Sequence, residues 1–409
     1  MKVVIFSQFF PPEMEPSGFM FGSLAKFLAK GEKIEKVDVI CGFANFPSGK
    51  FIDRKWYSLF KRSRQDGVNI HNVIVVPSNN KSNIKRILNY TSYLFTGILK
   101  GVFIKSPDVV IATSPPIFAA LAGLIVAKLK GAKFVLDVRD IWPESAVQMG
   151  SINNKKIISI LEWIELLLYK NASLITVATP GMVDIVRSKI PKQNTPIKYI
   201  PCGVAIPADN DLERVGVSPF QEIDHGKFCV LYGGLHGHAQ NLTTLVDAAS
   251  LLKKRDDIVF YFIGSGPDKD RVVEYASSLG LSNIKFLSPV TRDEIRRYYI
   301  FAGCAIVPLQ DLQIFKNVFP SKTFELMSYG VPTVVGVGGE IGKLIESSGA
   351  GQSVKPESPE DYSNAIVRYA DDESYRNKVS LSAIETAKNS FDYEVVNNEF
   401  EELLDSLRN

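Results

Sequence analysis

The segment Phe319-Pro320-Ser321-Lys322-Thr323-Phe324-Glu325 places a lysine and a glutamate three residues apart, directly behind a proline and a serine. Proline and serine are residues that begin helices, so Lys322 is expected in a first turn, where backbone N–H groups are free and a cation is ordinarily disfavoured. A bound anion would reconcile these facts. Lys322, Ser321 and the free amides would hold a diphosphate, and Glu325, on the same helix face, would accept ribose hydroxyls. The plainer alternative is an exposed i,i+3 ion pair. Gly330 and Pro332 mark the end of this helix.

Four further stretches have residue types suited to chemistry. Tyr232-Gly233-Gly234-Leu235-His236-Gly237-His238-Ala239-Gln240-Asn241 would let backbone approach a ligand closely at its glycines, with Gln240 or Asn241 opening a helix. His236 and His238 lack a nearby third ligand for a metal, so a hydrogen-bonding or cationic role toward phosphate is the better reading. Ile263-Gly264-Ser265-Gly266-Pro267 begins like a dinucleotide fingerprint but lacks the third glycine, which suits a turn serving a base or ribose. Asp268-x-Asp270 reads as a solvated helix N-terminus rather than a metal pair. Asp137-Val138-Arg139-Asp140-Ile141-Trp142-Pro143-Glu144 gathers three acids, an arginine and a tryptophan; an Arg–Asp pair pinning a loop is its structural alternative. Finally, the loop from Ser7 through Glu13 to Ser17-Gly18 would present amides at a helix N-terminus. No phosphate-binding G-x4-G-K-[ST] loop and no G-x-S-x-G elbow occurs.

All these stretches follow apolar runs that read as strands. In the first half the candidates are 3–6, 37–40, 73–76, 109–112, 134–136, 174–177 and 197–200, with helical patterns between most of them. A second series comprises 228–232, 259–263, 284–286, 305–307 and 333–335, alternating with helices at 242–253, 268–279, 292–300, 322–329 and much of 359–388. Strand–helix alternation with near-continuous Val/Ile runs predicts an α/β protein with parallel sheets, in which ligands bind beyond the carboxyl ends of strands. The expected domains are residues 1–203 and 227–390, joined by a proline- and acid-rich linker over 204–226. An amphipathic helix closes the chain within 391–409.

Four scattered cysteines argue against a zinc site or disulfide framework and fit a reducing, cytoplasmic compartment. Neither a secretory leader nor a run of apolar residues long enough to span a bilayer is visible. Residues 1–205 hold 27 Lys and Arg against 14 Asp and Glu, a net of +13, while the remainder nets −10. Such polarity suggests a directional anionic partner. No nucleic-acid-binding pattern is present, which leaves an anionic membrane surface. Lys61, Arg62, Arg64, Lys81, Lys85, Arg86, Lys100 and Lys105 surround the apolar segment 84–104, which reads equally well as a basic amphipathic helix on lipid or as a core helix.

Taken together, DVRDIWPESA, YGGLHGHAQNL, FIGSGP and PSKTFELMSYGVP, in this order, resemble the family 4 retaining glycosyltransferases of the GT-B fold. The nearest group is the bacterial surface-polysaccharide enzymes similar to L-fucosamine transferase. The resemblance implies two Rossmann-like domains facing across a cleft, the C-terminal one binding donor, and a last helix returning to the N-terminal, acceptor-side domain. It implies no metal and no cofactor, the UDP-sugar being a substrate. Lys322 would bind phosphate and Glu325 ribose. Gly233, Gly234, His238, Gln240, Ser265, Gly266 and Ser321 would complete the donor site, with Ser17 and Gly18 approaching from the other domain. Glu13, Arg139 and Glu144 would line the acceptor side, and Arg139 and Asp140 join Lys322 and Glu325 as catalytic candidates. Two positions depart from the family: Asn317 stands where a Glu-x7-Glu pair has its first carboxylate, and His238 where near relatives carry arginine.

The expected activity is retaining transfer of an N-acetylated hexosamine or deoxyhexosamine from a UDP-sugar to a polyprenyl-diphosphate-linked glycan, in O-antigen or capsule synthesis. This would take place in the cytoplasm, at the inner face of the membrane. The alternatives are a UDP-sugar epimerase of the same fold and a non-catalytic nucleotide-sugar-binding partner.

Overall fold

A computed structural model describes the chain except for residues 14–15, 46–47, 53, 55–57, 79–82, 151, 209–217, 221–225 and 409. It divides into two compact units, residues 1–203 with 393–409, and residues 204–392.

The first unit runs β1 (Lys2–Phe6), α1 (Pro16–Lys30), β2 (Lys36–Gly42), β3 (Phe60–Gln65), β4 (Val68–Val73), α2 (Asn83–Val102), β5 (Val109–Ser114), α3 (Ile117–Lys130), β6 (Lys133–Val138), α4 (Glu144–Gln148), α5 (Lys155–Asn171), β7 (Leu174–Val177), α6 (Pro180–Lys189) and β8 (Ile197–Tyr199). Its sheet has the order β3-β4-β2-β1-β5-β6-β7-β8. Val3 sits opposite both Val37 and Val109, which puts the most apolar strands at the centre.

One strand was expected in the wrong place. The run at 73–76 is mostly loop, and the strand precedes it as β4. Strand β4 pairs antiparallel with β3, so the sheet is not wholly parallel. The cause is the two-residue link Asp66-Gly67, whose positive φ values of 50° and 83° suit a tight hairpin turn. Strand β3, FKRSRQ, is almost wholly exposed and has no apolar alternation to reveal it. Charges on such an edge also discourage pairing with another chain.

One face of the sheet packs against α2, α3 and α5. The other packs against α1 and α14 (Tyr393–Asp405), where Val396, Phe400 and Leu404 join Phe21, Leu24 and Leu28. Asn397 donates to Ser23 Oγ at 3.0 Å, and Lys33 pairs with Asp405 at 2.8 Å, so the terminal helix is built into this unit.

The second unit contains β9 (Phe228–Gly233), α7 (Thr243–Leu251), β10 (Ile258–Ile263), α8 (Lys269–Ser278), β11 (Ile284–Leu287), α9 (Arg292–Phe301), β12 (Cys304–Pro308), α10 (Ser321–Ser328), β13 (Thr333–Gly336), α11 (Glu340–Ser348), β14 (Gln352–Ser353), α12 (Pro359–Asp371) and α13 (Glu373–Ser390). Its sheet order is β11-β10-β9-β12-β13-β14, with all pairs parallel. The described parts of the expected linker fall within this unit. Val204 bridges to Asp392, and Phe220 packs on Tyr261 and Tyr298 with centroids 4.6 and 5.2 Å away.

Candidate functional site

Because the strands of the second sheet run one way, the loops leaving β9, β10 and β11 gather at a single edge. The loops after β9 and β10 are interlocked. His236 N–H donates to Ser265 O at 2.9 Å, and His236 O accepts from Asp268 N–H at 2.9 Å. Glycine is required at this crossing. A Cβ on Gly264 (φ 146°) would lie 1.9 Å from Gly234 O, and one on Gly266 would lie 2.3 Å from His236 O.

Gly234, at φ 142°, makes room for a side chain from elsewhere, since a Cβ there would fall 2.0 Å from Lys322 Nζ. The lysine arrives on α10, whose N-cap is Pro320 and which has no side-chain cap. Among the described residues, the N–H groups of Ser321 and Lys322, in the first turn, donate to no hydrogen-bond acceptor. The ammonium lies 5.1 Å from the centroid of the Tyr232 ring. Burial pulls its pKa down to about 8, and nearby Glu325 opposes this only in part. A desolvated cation beside free amides, with no anionic hydrogen-bond partner among the described residues, is chemically suited to a phosphate.

Glu325 faces Arg292 Nε at 3.5 Å. Arg292 opens α9 immediately behind a capping box in which Thr291 and Glu294 exchange hydrogen bonds. This arginine is absent from the sequence-derived set, although the Thr-x-x-Glu signature directly after β11 would have located it.

The remaining residues of this cluster have diverse settings. Gly233 packs against Ile295, with 3.2 Å between its notional Cβ and that side chain. Gln240 Oε1 accepts from Gly237 N–H at 3.2 Å, which closes the loop on itself. Ser265 and Ser321 are exposed. His238 is exposed too, with Nδ1 3.3 Å from Asp268 Oδ1. Asp268 is not the solvated residue expected. It is 1% exposed, and both oxygens accept from Arg271 at 2.7 Å. His236 is fully buried with neither ring nitrogen hydrogen-bonded at good geometry among the described residues, and burial together with Lys269 and Lys322 pushes its pKa down to about 4, opposed only in part by the Ile263 backbone. Asn317 ends a 3-10 turn, Gln313–Asn317, shortly before α10.

The first-unit candidates lie on the loops after β1 and β6. Ser17 and Gly18 occupy the first turn of α1, and Gly18 approaches the Phe9–Phe10 backbone to 3.3 Å from a notional Cβ. Glu13 is turned inward, 1% exposed, and accepts from Asn45 N–H at 2.7 Å, so it braces a loop. Arg139 is likewise committed. Its Nε donates to Asp137 Oδ2 at 2.6 Å, its Nη2 to Asp137 Oδ1, and its Nη1 to Ile200 O at 3.1 Å. Asp137 is fully buried and also accepts from Thr176. The loop-pinning alternative therefore describes Arg139 better than a free acceptor-side cation does. Asp140 differs: burial raises its pKa, offset by hydrogen bonds from Ser145 and Ile141, and Ser145 Oγ donates to it at 2.6 Å. Glu144 is exposed at the start of α4, 3.6 Å from Lys189.

Two Rossmann-like α/β units of this topology, with a cationic helix start at the strand ends of the second, have the fold of the GT-B glycosyltransferases. Residues 218–386 match the family model "Glycosyl transferases group 1". The chain is 23% identical over 373 residues to the putative colanic acid biosynthesis glycosyl transferase WcaI of Escherichia coli (strain K12), covering 88% of this chain and 90% of the relative. Among solved structures it resembles sucrose-phosphate synthase from Thermosynechococcus elongatus (TM-score 0.76, 14% identity, 99% of this chain and 98% of that one). It also resembles Anabaena Alr3699/HepE in complex with UDP and glucose (TM-score 0.70, 16% identity, 99% and 100%).

Proposed function

We propose that this chain is a family 4 retaining glycosyltransferase that takes its sugar from UDP and needs no metal. One observation carries the reading. The Lys322 ammonium, desolvated and without an anionic hydrogen-bond partner among the described residues, lies against Gly234 at the uncapped start of α10. That HepE was crystallised with UDP and glucose supports a UDP-sugar as donor. The name of WcaI supports a surface polysaccharide as the product. The donor sugar is an N-acetylated hexosamine or deoxyhexosamine, and the acceptor a polyprenyl-diphosphate-linked glycan of O-antigen or capsule type at the inner face of the cytoplasmic membrane.

In the reaction the bond from the anomeric carbon to the diphosphate oxygen breaks, and its electron pair stays on the diphosphate. Lys322 and the Ser321 and Lys322 amides stabilise that growing charge, and Glu325, positioned by Arg292, accepts ribose hydroxyls. The acceptor hydroxyl attacks on the face the diphosphate leaves, and its proton passes to a diphosphate oxygen, so configuration is kept. Asp140 orients the acceptor.

Thermal stabilisation by UDP- and GDP-sugars identifies the donor. Incubating the stabilising sugar with polyprenyl-diphosphate glycans, with and without EDTA, then tests transfer. EDTA-insensitive formation of an α-linked product from an α-linked donor is expected. Inversion, a strict metal requirement, or interconversion of free UDP-sugars without any acceptor would overturn the reading.

A further inference from the structure

The helix α2 is apolar on two sides, and its larger side chains point the wrong way for a core helix. The face toward the sheet is built from Asn89, Tyr93, Gly97 and Gly101. A Cβ on Gly101 would meet Val126 at 2.7 Å and Phe6 at 2.8 Å. The outward stripe, at helical spacing, is Ile84, Leu88, Phe95, Leu99 and Val102, followed by Phe103. Phe95 is 67% exposed and Phe103 74%. A helix selected only for the core would bury the phenylalanines and expose the small residues.

The same layer carries a second apolar ridge that the sequence did not single out. Helix α3 packs between α2 and α5, and α5 exposes Ile157, Ile160 and Trp163 at spacings of three. Leu129, near the end of α3, is 65% exposed. Charge on this layer is predominantly positive. Helices α2 and α3 contain no Asp or Glu, while Lys85, Arg86, Lys100, Lys105 and Lys128 flank the apolar stripe. On α5, Glu165 is buried and bound by Lys189 at 2.8 Å, which leaves Glu162 as its exposed acid. The opposite side of the sheet is covered by α1, which has two lysines, and by α14, which has five carboxylates and no basic residue. Lys61, Arg62 and Arg64 belong to the edge strand β3 rather than to this layer, and Lys81 lies outside the described residues.

We infer that the outer faces of α2, α3 and α5 form one docking surface that lies on an anionic lipid leaflet, with Phe95, Leu99, Phe103 and Trp163 sunk into the acyl boundary and the lysines on the headgroups. No helix among the described residues is long and apolar enough to cross a membrane, so the contact is with one leaflet only. Apolar ridges with a rim that is cationic apart from Glu162 favour anionic lipid over a second copy of this chain, because two such rims would repel. The inference deepens the membrane part of the function proposed above and does not depend on the transfer chemistry.

The test is co-sedimentation with phosphatidylcholine vesicles, with and without phosphatidylglycerol, at low and high salt. The wild type should pellet with the anionic vesicles at low salt and be released by salt. Its Trp163 emission should shift to the blue, a change absent in Trp163→Phe. Phe95→Ser/Leu99→Ser/Phe103→Ser should lower partition at least about tenfold. Lys100→Glu/Lys128→Glu, which spares the apolar ridge, should do so by a similar factor, at about fivefold for each charge neutralised and more on reversal. In both variants thermal stabilisation by UDP should match wild type, which separates failure of docking from failure of the donor site. Failure of the wild type to pellet, undiminished pelleting of both variants, or a concentration-dependent dimer that the serine variant abolishes would overturn the inference.

Discussion

Replacing Lys322 by methionine should make the free protein more stable and at the same time blind to UDP. The lysine's pKa falls from 10.5 to about 8 on folding because burial penalises the ammonium. At about 1.4 kcal/mol per tenfold change in proton affinity, this is at most about 3.5 kcal/mol. The side chain keeps some solvent access, so about 1–2 kcal/mol is the expected gain for methionine at pH 7. The sign follows from proton binding. Between pH 8 and 10.5 the unfolded chain holds a proton that the folded protein has lost, so wild-type stability rises with pH across that window. Lys322→Met lacks this rise, and its advantage over wild type should shrink toward pH 10.5. UDP should reverse the logic, because a diphosphate beside the ammonium favours the charged form. Wild type should therefore take up protons on binding UDP near pH 8.5, measurable by calorimetry in buffers of differing ionisation enthalpy. Urea unfolding of both proteins from pH 7 to 10.5, with and without UDP, is the assay. A methionine variant less stable than wild type at pH 7, or one still stabilised by UDP, would refute this reasoning.

Gly234→Ala should act on the same lysine from the other side. A methyl 2.0 Å from Nζ on a backbone at φ 142° costs about 1–3 kcal/mol of strain and displaces Lys322, so UDP affinity measured by titration should fall with stability. Arg139→Ala strands the fully buried Asp137 and should lower unfolding free energy by about 3–5 kcal/mol, whereas Asp140→Asn should keep stability within about 1 kcal/mol while losing turnover. His236, its pKa depressed from 6.5 to about 4, favours folding fully above pH 6.5 and loses that contribution as pH falls toward 4. His236→Phe should flatten the urea midpoint across that window, and an unchanged slope would exclude His236 as its cause.

Much of the second unit was legible because its physics is local. Buried parallel strands must be continuous apolar runs, and the Pro-Ser start and the Gly330 stop of α10 act within a few residues. The glycine-rich loops could likewise be read, since left-handed or mirror-region backbone has few other solutions. The β3–β4 hairpin was missed because an exposed edge strand needs no apolar alternation, although Asp66-Gly67 announced its turn.

Residue type and spacing alone determined the α/β class, the five chemistry-bearing stretches and the charge polarity of the two halves, since each follows from short-range propensity or simple counting. Partnership was decided only in three dimensions. Whether a charge is free or committed depends on what distant segments bring beside it: Arg139 is consumed by Asp137 and the carbonyl of Ile200, Asp268 by Arg271, while Lys322 meets a glycine, an aromatic face and part of a carboxylate's field. The same holds for α2, whose one-dimensional pattern fits core and lipid equally. The glycines packed against Phe6 and Val126 turned its phenylalanines outward, because a close helix–sheet contact leaves no volume for anything larger on the inner side.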